Sequence, residues 1–438
     1  MSTREQRGWY FYDWANSAFY TTVVTLFFGP YLTSLAQAAA DPRGFVHPFG
    51  IPVDARAWWP YVLSAAVVAQ IVALPVAGAL CDARGRRKAQ LAAYAFAGAA
   101  ATMCMGLLTG THYLAGGVLF VAANLGYGAS MVVYNSYLPL IARPEERDAV
   151  SARGWGLGYL GGGIMLALAV VLFQRAGALG LSESQAVRIS LCAAGMWWAA
   201  FTLIPLATLR DHPPPAAPGG PILSSAFGQL FRTIAELRRY RQTLLFLVAY
   251  LIFNDPIQAV IALASQFGAG ELKLSMASLT LAILMVQFVA FPGALLFNRV
   301  AARVGAKRAL MASLVVWIAV LAAMYSVVRG ERGFFAAAFV IALVLGGSQA
   351  LSRSIFSQMI PPGKEGEFFS LYEVSDKGTS WLAPAMFGAV VQLTGSYRAS
   401  ILALIALFAL GIAVLARVNV ARGAQEAQQQ PSETDPAG

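Results

Sequence analysis

The chain has 438 residues, of which 58% are hydrophobic and 12% are charged, and its formal net charge is +10. Soluble domains carry about 25% charged residues, so this composition excludes an ordinary soluble protein and indicates one that lies mostly in lipid. Loops that face anionic lipid head groups account for the basic excess, and we expect no nucleic acid as a partner.

Twelve apolar stretches are long enough to cross a bilayer, which takes about 20 residues in a helix. Helices are expected because a single helix satisfies its own backbone in lipid, and because the long apolar runs lack the alternation of barrel strands. The predicted fold is an all-α membrane protein with twelve transmembrane helices. The predicted spans are approximately 9–35, 57–81, 89–110, 113–141, 154–175, 186–209, 242–266, 274–297, 309–328, 334–358, 367–393 and 399–417.

Lysine and arginine residues set the expected orientation. When both tails and the even-numbered connections are assigned to one side, that side holds 21 basic residues and the other side holds 8. Cytoplasmic loops are enriched in Lys and Arg, so both termini are predicted to lie in the cytoplasm.

The first span carries a polar stripe. Asp13, Asn16, Ser17 and Tyr20 follow the spacing i, i+3, i+4, i+7 and therefore share one helical face. An ionisable side chain at the bilayer centre costs about 2.5–3.5 kcal/mol on insertion scales, so we interpret the stripe as the lining of a cavity or gate. Contacts between helices near the cytoplasmic end are the alternative.

The loop after the second span, residues 78–88, reads GALCDARGRRK, with one acid followed by a basic turn. An acid at a helix end can bind basic groups or the N-terminus of a helix in another part of the chain, so we interpret this loop as a gate. The alternative is that the charges of this loop only fix the orientation of the chain in the membrane, which would explain the arginines but not Asp82. The predicted gate residues are Gly78, Asp82, Arg84, Gly85, Arg86 and Arg87.

The chain repeats itself at an offset of about 220 residues. Residues 293–308 are a degraded copy of the gate loop, with Asn298 where an acid is expected, and residues 353–362 match residues 135–144. A repeated membrane chain indicates two similar halves around one central pathway, which is the plan of a transporter. The predicted domains are a six-helix half (1–209), a linker with an amphipathic helix (210–241), a second six-helix half (242–420) and a disordered tail (421–438).

In the seventh span, Tyr250, Asn254 and Gln258 recur every four residues, with Asp255 and Pro256 beside them. Proline removes a backbone donor and loosens a helix, so we interpret this segment as pathway lining, with a plain kink as the alternative. Burial disfavours an ionised carboxylate. We therefore expect Asp255 to take part in proton coupling or to bind the amino group of a substrate, assisted by Asp13.

The tenth and eleventh spans add further ionisable residues. Arg353 is a natural clamp for a substrate carboxylate because its guanidinium group is planar. Glu373, Asp376 and Lys377 lie within one helical turn, and Glu373 and Lys377 could neutralise each other at i, i+4, which leaves Asp376. A pair that only holds helices together is the alternative.

The chain lacks the motifs of enzymes and of metal sites. Its three cysteines and three histidines have no paired spacing, and it contains no P-loop, no HExxH and no GxSxG motif. We expect no enzymatic activity, no cofactor, no metal and a monomeric protein.

The gate loop resembles the G-x-L-x-D-x-x-G-R-[RK] signature of the major facilitator superfamily. Four other segments are similar to the vacuolar-effluxer-like branch of that superfamily: the run YDWANSAF at 12–19, Asn254-Asp255, residues 346–354 and residues 368–377. The compact chain and its short linker resemble a bacterial member of this branch.

The resemblance implies two pseudo-symmetric six-helix halves in a bacterial inner membrane. It implies secondary active transport of a small solute by alternating access, with protons as a coupling ion. Fungal members of the branch export amino acids from the vacuole during autophagy, so efflux of a neutral amino acid is the favoured interpretation. Export of another small metabolite or drug-like compound is the alternative, and a non-transporting receptor or an intramembrane enzyme are weaker ones.

The predicted topology can be tested by labelling single cysteines in a cysteine-free background. Cysteines at Gln425 and at Ser225 should react with an impermeant reagent only from the cytoplasm, because the basic residues are concentrated on that side. A cysteine at His112 should react from outside. Labelling of position 425 from outside would overturn the assignment.

Overall fold

The computed structural model of the chain describes residues 2–55, 58–212, 237–378, 386, 390 and 397–428. In the first half, the first span is α1 (Arg4–Ala18), a π-helical segment (Phe19–Phe27) and α2 (Phe28–Ala39). A short hairpin of β1 (Phe45–Val46) and β2 (Val53–Asp54) follows. The other helices of this half are α3 (Trp58–Arg84), α4 (Arg87–Met105), α5 (Tyr113–Ser136), α6 (Leu138–Ile141), α7 (Arg147–Gln174) and α8 (Glu183–Thr208).

The described part of the second half also consists of helices. Its helices are α9 (Arg241–Gly270), α10 (Met276–Val304), α11 (Ala306–Ser326), α12 (Glu331–Gln358), α13 (Glu365–Gly378), α14 (Tyr397–Arg417) and α15 (Val420–Gln428).

Among the described residues, ten helices are long and apolar enough to cross a membrane, and each coincides with a predicted span. The two remaining predicted spans are consistent with the structure. The span predicted at 89–110 is the helix α4, which is rich in alanine and less apolar than the others. The span predicted at 367–393 begins on α13, and most of its remainder lies outside the described residues.

Each half has its own hydrophobic core. The core of the first half contains buried side chains between Trp9 and Leu209, and that of the second half contains side chains between Leu237 and Val418. Trp198 is fully buried in the first core, and Trp317 stacks on Phe408 in the second. The two large cores are packed separately, and a small apolar cluster around Leu74 and Val132, against which Val374 packs, joins the halves.

The two halves meet along a few helices. In the first half α7 lies against α10 and α12, and α3 lies against α13. Glycines on α7 permit the approach, since a Cβ atom at Gly156 would lie 2.9 Å from the ring of Phe291. This agrees with the packing role expected for small residues at helix contacts in membranes.

The segment after the last span differs from the prediction. Instead of a disordered tail from residue 421, the structure has the helix α15, which packs through Gly423 against Met359 and Gln242. The polar composition suggested disorder, but the backbone N–H of Gln242 donates to Glu426, and Glu426 pairs with Arg422 at i, i+4. These tertiary contacts, which local composition does not reveal, hold the segment in a helix.

Parts of two predictions lie outside the described residues. The amphipathic helix predicted within the linker falls largely between residues 213 and 236, and the end of the predicted tail falls between residues 429 and 438.

The contact between α4 and α5 provides a test of the packing. A Cβ atom at Gly126 would lie 2.8 Å from the backbone of Gly98, so Gly126→Val must force the two helices apart. Overpacking of this kind costs about 1–3 kcal/mol, and we expect the melting temperature of the purified protein to fall. Gly177→Val is the control because, among the described residues other than its chain neighbours, none has a heavy atom within 4 Å of its Cβ position. Equal melting temperatures for the two variants would contradict the described packing.

Candidate functional site

A cavity of about 240 Å³ lies between the two halves. It extends to Phe267, Leu279, Met324 and Phe334, which lie near the helix ends that face away from the termini. We call that side the far side, and the side that holds Arg4 and Arg417 the terminus side. The polar and aromatic lining consists of Ser17, Tyr20, Thr21, Thr25, Tyr127, Asn135, Trp155, Tyr159, Tyr250, Gln258, Gln287, Gln349, Arg353, Tyr372, Glu373 and Asp376.

The first span reaches the cavity through its π-helical segment. Tyr20, Thr21 and Thr25 all line the cavity, and all belong to Phe19–Phe27. The Thr25 hydroxyl donates to the Tyr20 carbonyl oxygen at 2.9 Å, five residues back. Wider turns of this kind occur often at functional sites. Hydrophobic periodicity gave no sign of this segment, because the sequence pattern continues through it.

The predicted stripe of the first span divides between two environments. Ser17 and Tyr20 line the cavity, whereas Asp13 and Asn16 are buried and lie outside the lining. Asn16 contacts the sulfur of Met131 at 3.1 Å within the same half. Asp13 accepts a hydrogen bond of 2.7 Å from the Tyr134 hydroxyl and faces the second half.

The predicted stripe of the seventh span, on α9, points toward the cavity. Tyr250 and Gln258 line it. Asn254 donates to Asp376 at 2.6 Å and accepts from Gln349 at 2.9 Å. Asp255 is 3% exposed and is not among the lining residues, so its role in coupling stays a prediction.

Two of the four acids of α13, Glu373 and Asp376, line the cavity. Glu373 accepts a hydrogen bond of 2.8 Å from Asn135 of the first half. Asp376 accepts one of 3.0 Å from the Tyr250 hydroxyl in addition to that from Asn254. Lys377 belongs to the same helix, but its side chain lies outside the described part of the chain, and so does the predicted pair with Glu373.

Arg353 lies on α12 and is 1% exposed. Its guanidinium group donates to the Asp13 carboxylate at 3.1 Å, to the Ser151 hydroxyl at 3.0 Å and to the Ser151 carbonyl oxygen at 2.9 Å. The rings of Trp9 and Trp155 lie 4.7 and 5.2 Å from its central carbon. Arg353 is therefore an inter-half contact in this structure, and its role as a clamp for a substrate carboxylate stays a prediction.

Asn135 is a site residue that the sequence pattern did not single out. It corresponds to Arg353 in the internal repeat, and its side-chain oxygen accepts a hydrogen bond of 3.4 Å from Arg353. The internal repeat could have identified Asn135, because it aligns this residue with Arg353. Residues that a pseudo-two-fold axis relates come into contact when both lie close to that axis.

The gate loop connects the two halves on the terminus side. One oxygen of Asp82 accepts from the Gly366 backbone N–H at 2.9 Å, and the other accepts from the Glu367 N–H at 2.9 Å. Arg87 donates to both Asp82 and Glu365 at 3.0 Å. Asp82 thus binds the N-terminus of α13, where a carboxylate is favoured by the helix dipole.

Backbone geometry brings the gate loop to this position. A Cβ atom at Gly78 would lie 2.5 Å from the carbonyl oxygen of Gly366, so α3 and α13 touch backbone to backbone. Gly85 has φ +59°, which permits the turn into α4. Arg86 precedes α4 and is exposed. Arg84 ends α3, and its side chain lies outside the described part of the chain.

Two more bonds close the terminus side. Arg147 donates to the Ser357 carbonyl oxygen at 2.6 Å, and the Ser354 hydroxyl donates to Asp148 at 2.5 Å. In the degraded loop copy, Lys307 binds the carbonyl oxygens of Ala416 and Val418 within its own half. The two loops therefore act differently in this structure.

Comparison with known proteins places the chain among transporters. A family model described as "Vacuole effluxer Atg22 like" matches residues 1–428. The chain is 28% identical over 430 residues to an uncharacterized MFS-type transporter of Bacillus subtilis, YxiO, and the match covers 98% of each protein. It is 26% identical over 483 residues to autophagy-related protein 22-2 of Emericella nidulans, covering 89% of this chain and 82% of that protein.

Solved structures share the fold. The human organic anion transporter MFSD10 superposes with a TM-score of 0.70 at 15% identity, covering 94% of this chain and 99% of that one. The proton:xylose symporter XylE gives 0.68 at 12% identity, with 94% of each chain covered. FucP in the outward conformation gives 0.65 at 14% identity, covering 95% and 98%. These likenesses show the major facilitator fold.

Closure of the terminus side can be tested at Asp82. Asp82→Asn removes the charge and one of two acceptor oxygens at the start of α13, a loss of about 1 kcal/mol. We expect alkylation of a single cysteine at Ser357, which is buried on this side, to become about fivefold faster. Asn298→Ala, in the degraded copy, should have a much smaller effect because it removes no charge. Equal acceleration by both variants would mean that the two loops act alike.

Proposed function

The chain belongs to the family of vacuole effluxer Atg22-like proteins, and from this premise we propose that it is a secondary active transporter that moves a small solute by alternating access. The favoured substrate is a neutral amino acid that leaves the cytoplasm. The observation that supports this proposal is the cavity between the halves, which extends toward the far side, while contacts between the halves close the terminus side.

Alternating access requires two bodies that rock against each other. The halves have separate large cores. On the terminus side they meet through hydrogen bonds, ion pairs, glycine contacts and one small apolar cluster around Leu74 and Val132, against which Val374 of the second half packs. Contacts of this kind can break and reform without unfolding either half. One chain supplies both walls of the cavity, so we propose a monomer as the transporting unit.

The basic bias of the sequence supports termini in the cytoplasm of a bacterial cell. With that orientation, the far side is outside, and the structure corresponds to an outward-facing state. The match to a Bacillus protein over nearly its whole length supports location in the cell membrane.

The lining suits a small zwitterion with an apolar side chain. Glu373 and Asp376 offer carboxylates for an ammonium group, and Gln258 and Tyr20 offer donors for a carboxylate. Val286 and Ile341, with the aromatic rings around them, can accept an aliphatic side chain.

Export of another small metabolite or drug-like compound is a second candidate. The outer part of the cavity, at Phe267, Leu279 and Phe334, is apolar and would accept a larger hydrophobic solute.

Protons are the proposed coupling ion. Carboxylates that face the cavity are candidates to carry this proton, and XylE, which shares the fold, is described as a proton symporter. Asp376, whose carboxylate is held by Tyr250 and Asn254, is the acid that we place at the substrate. Asp255 remains the alternative from the sequence.

The proposal is tested by reconstituting the full chain in liposomes with a panel of labelled amino acids. The wild-type protein should accumulate at least one of them when a proton gradient is applied. Asp376→Asn should reduce this accumulation at least about tenfold, because hydrogen bonds to charged groups contribute about 1.5–3 kcal/mol. Asp255→Asn is the matched variant, because Asp255 is a buried acid of the same half that lies off the lining, and it should have a smaller effect.

Transport of none of the panel, with or without a gradient, would contradict the amino-acid assignment. If Asp255→Asn abolishes accumulation while Asp376→Asn transports at the wild-type rate, the acid predicted from sequence carries the function and our interpretation of the cavity is wrong. Monodisperse elution of each variant is the control for folding.

A further inference from the structure

Among the described residues, the hydrogen bonds and aromatic contacts of the Arg353 guanidinium group all go to the other half of the molecule. Arg353 comes from α12, whereas every hydrogen-bond acceptor and every aromatic ring described around its guanidinium group comes from the first half. We call the set of these first-half residues the cation cage. It consists of Trp9, Asp13, Tyr134, Asn135, Ser151 and Trp155.

The cation cage has the composition of a receptor for an organic cation. It offers one carboxylate, one hydroxyl, one backbone carbonyl and one amide oxygen. Three aromatic rings surround these acceptors, with their centres 4.7, 5.2 and 5.6 Å from the guanidinium carbon. Aromatic faces within about 6 Å attract ammonium and guanidinium groups, most strongly where water is excluded.

The cage is built independently of its occupant. Trp9 stacks on Tyr134 with ring centres 4.3 Å apart, and the Trp9 indole N–H donates to the Tyr134 carbonyl oxygen at 2.8 Å. The Tyr134 hydroxyl holds the Asp13 carboxylate. These contacts lie within one half, so they persist when the halves separate.

The cage also adjoins the transport cavity. Two of its members, Asn135 and Trp155, line the cavity, as Arg353 does. It therefore forms the cavity floor on the terminus side, where a solute that crosses between the halves must pass.

We propose that the cation cage is a binding site for the ammonium or guanidinium group of the transported solute, and that Arg353 is a tethered competitor for the same site. The proposal rests on the proposed function, alternating access. When the terminus side opens, Arg353 leaves with α12, and the buried carboxylate of Asp13 then needs another cation. A solute that carries an amine or guanidine group supplies it.

Closure of the terminus side then returns Arg353 to the cage and displaces the cation of the solute into the cavity above. There Glu373 and Asp376 are the next carboxylates. Arg353 thereby favours movement from the terminus side to the far side. The substrates are defined by a cationic nitrogen, and a carboxylic acid that lacks one is excluded.

Binding to the cage is tested without transport. In purified full-length Arg353→Ala, methylguanidinium should bind with an affinity at least about tenfold higher than in the wild type, because the cage has lost its resident cation. Tryptophan fluorescence and melting temperature report binding, and neutral methylurea is the control ligand. Arg188→Ala is the matched control variant, because the Arg188 guanidinium group binds the Gly106 carbonyl oxygen within the first half and so does not hold the terminus side closed.

Two further variants keep the test decisive. Adding Trp155→Leu to Arg353→Ala should reverse most of the gain, since it removes one aromatic face. Gly78→Val keeps Arg353 but places a side chain against the Gly366 carbonyl oxygen, and so should force the terminus side open. Opening this side withdraws Arg353 from the cage, so Gly78→Val should also bind methylguanidinium more tightly than the wild type. This variant therefore tests the proposal even if Arg353→Ala does not fold.

The inference is overturned if methylguanidinium binds no better to Arg353→Ala and Gly78→Val than to the wild type or Arg188→Ala. It is also overturned if methylurea binds equally well. Neither result depends on transport, so failure of the cage is distinguishable from failure of the proposed function, which the liposome panel reports. Within a positive panel, transport of deaminated analogues at the rate of the parent amino acids would contradict the cage as a selectivity site.

Discussion

The arrangement of the two halves depends on one buried ion pair, between Asp13 and Arg353. Both side chains are almost fully excluded from solvent, and removing one partner of such a pair leaves a charge whose desolvation is not compensated. Because the two residues belong to different halves, the halves cannot part at this depth unless each charge finds a new partner. The pair therefore links the chemistry of the cavity floor to the conformation of the whole protein.

A second layer of contacts lies nearer the terminus side. Asp82 holds the start of α13 through two backbone N–H groups, and Arg87 binds Asp82 and Glu365 together. This layer depends on close backbone approach, which the glycines Gly78 and Gly366 permit. In the outer layer, Asp82 and Glu365 already share the cation Arg87. In the inner layer, Asp13 depends on Arg353 from the other half, so a solute cation can replace the partner of Asp13 without disturbing the outer layer.

Much of the architecture could be predicted from the sequence because hydrophobic length and basic bias are strong local signals. The same holds for the stripe on α9, where Tyr250 and Gln258 reach the cavity as their spacing indicates. Periodicity reports which residues share a face, but not what lies opposite. The sequence therefore indicated Asp13 and Arg353 as separate candidate residues. It did not predict their contact, because they lie 340 positions apart in the chain.

Other features depend on tertiary contacts that leave little trace in a local pattern. The π-helical segment Phe19–Phe27 has the same hydrophobic pattern as an α-helix, so the sequence does not reveal it. Its Tyr20 and Thr25 side chains line the cavity. The helix α15 has a polar sequence, and its stability comes from Met359 and Gln242, which lie far away in the chain. Asn135 is the exception, since the internal repeat of the sequence by itself relates this residue to Arg353.

The central claim, that the Asp13–Arg353 pair holds the terminus side closed, is tested most directly by distances between spin labels. Labels at Arg86 and Arg303, exposed positions of opposite halves on that side, report its opening, and labels at Thr111 and Arg332 report the far side. Asp13→Asn and Arg353→Gln should each lengthen the first distance and shorten the second. The double variant should go no further than the larger single effect, because the two residues act as one pair. Unchanged distances in both single variants, or additive changes in the double variant, would contradict this role of the pair.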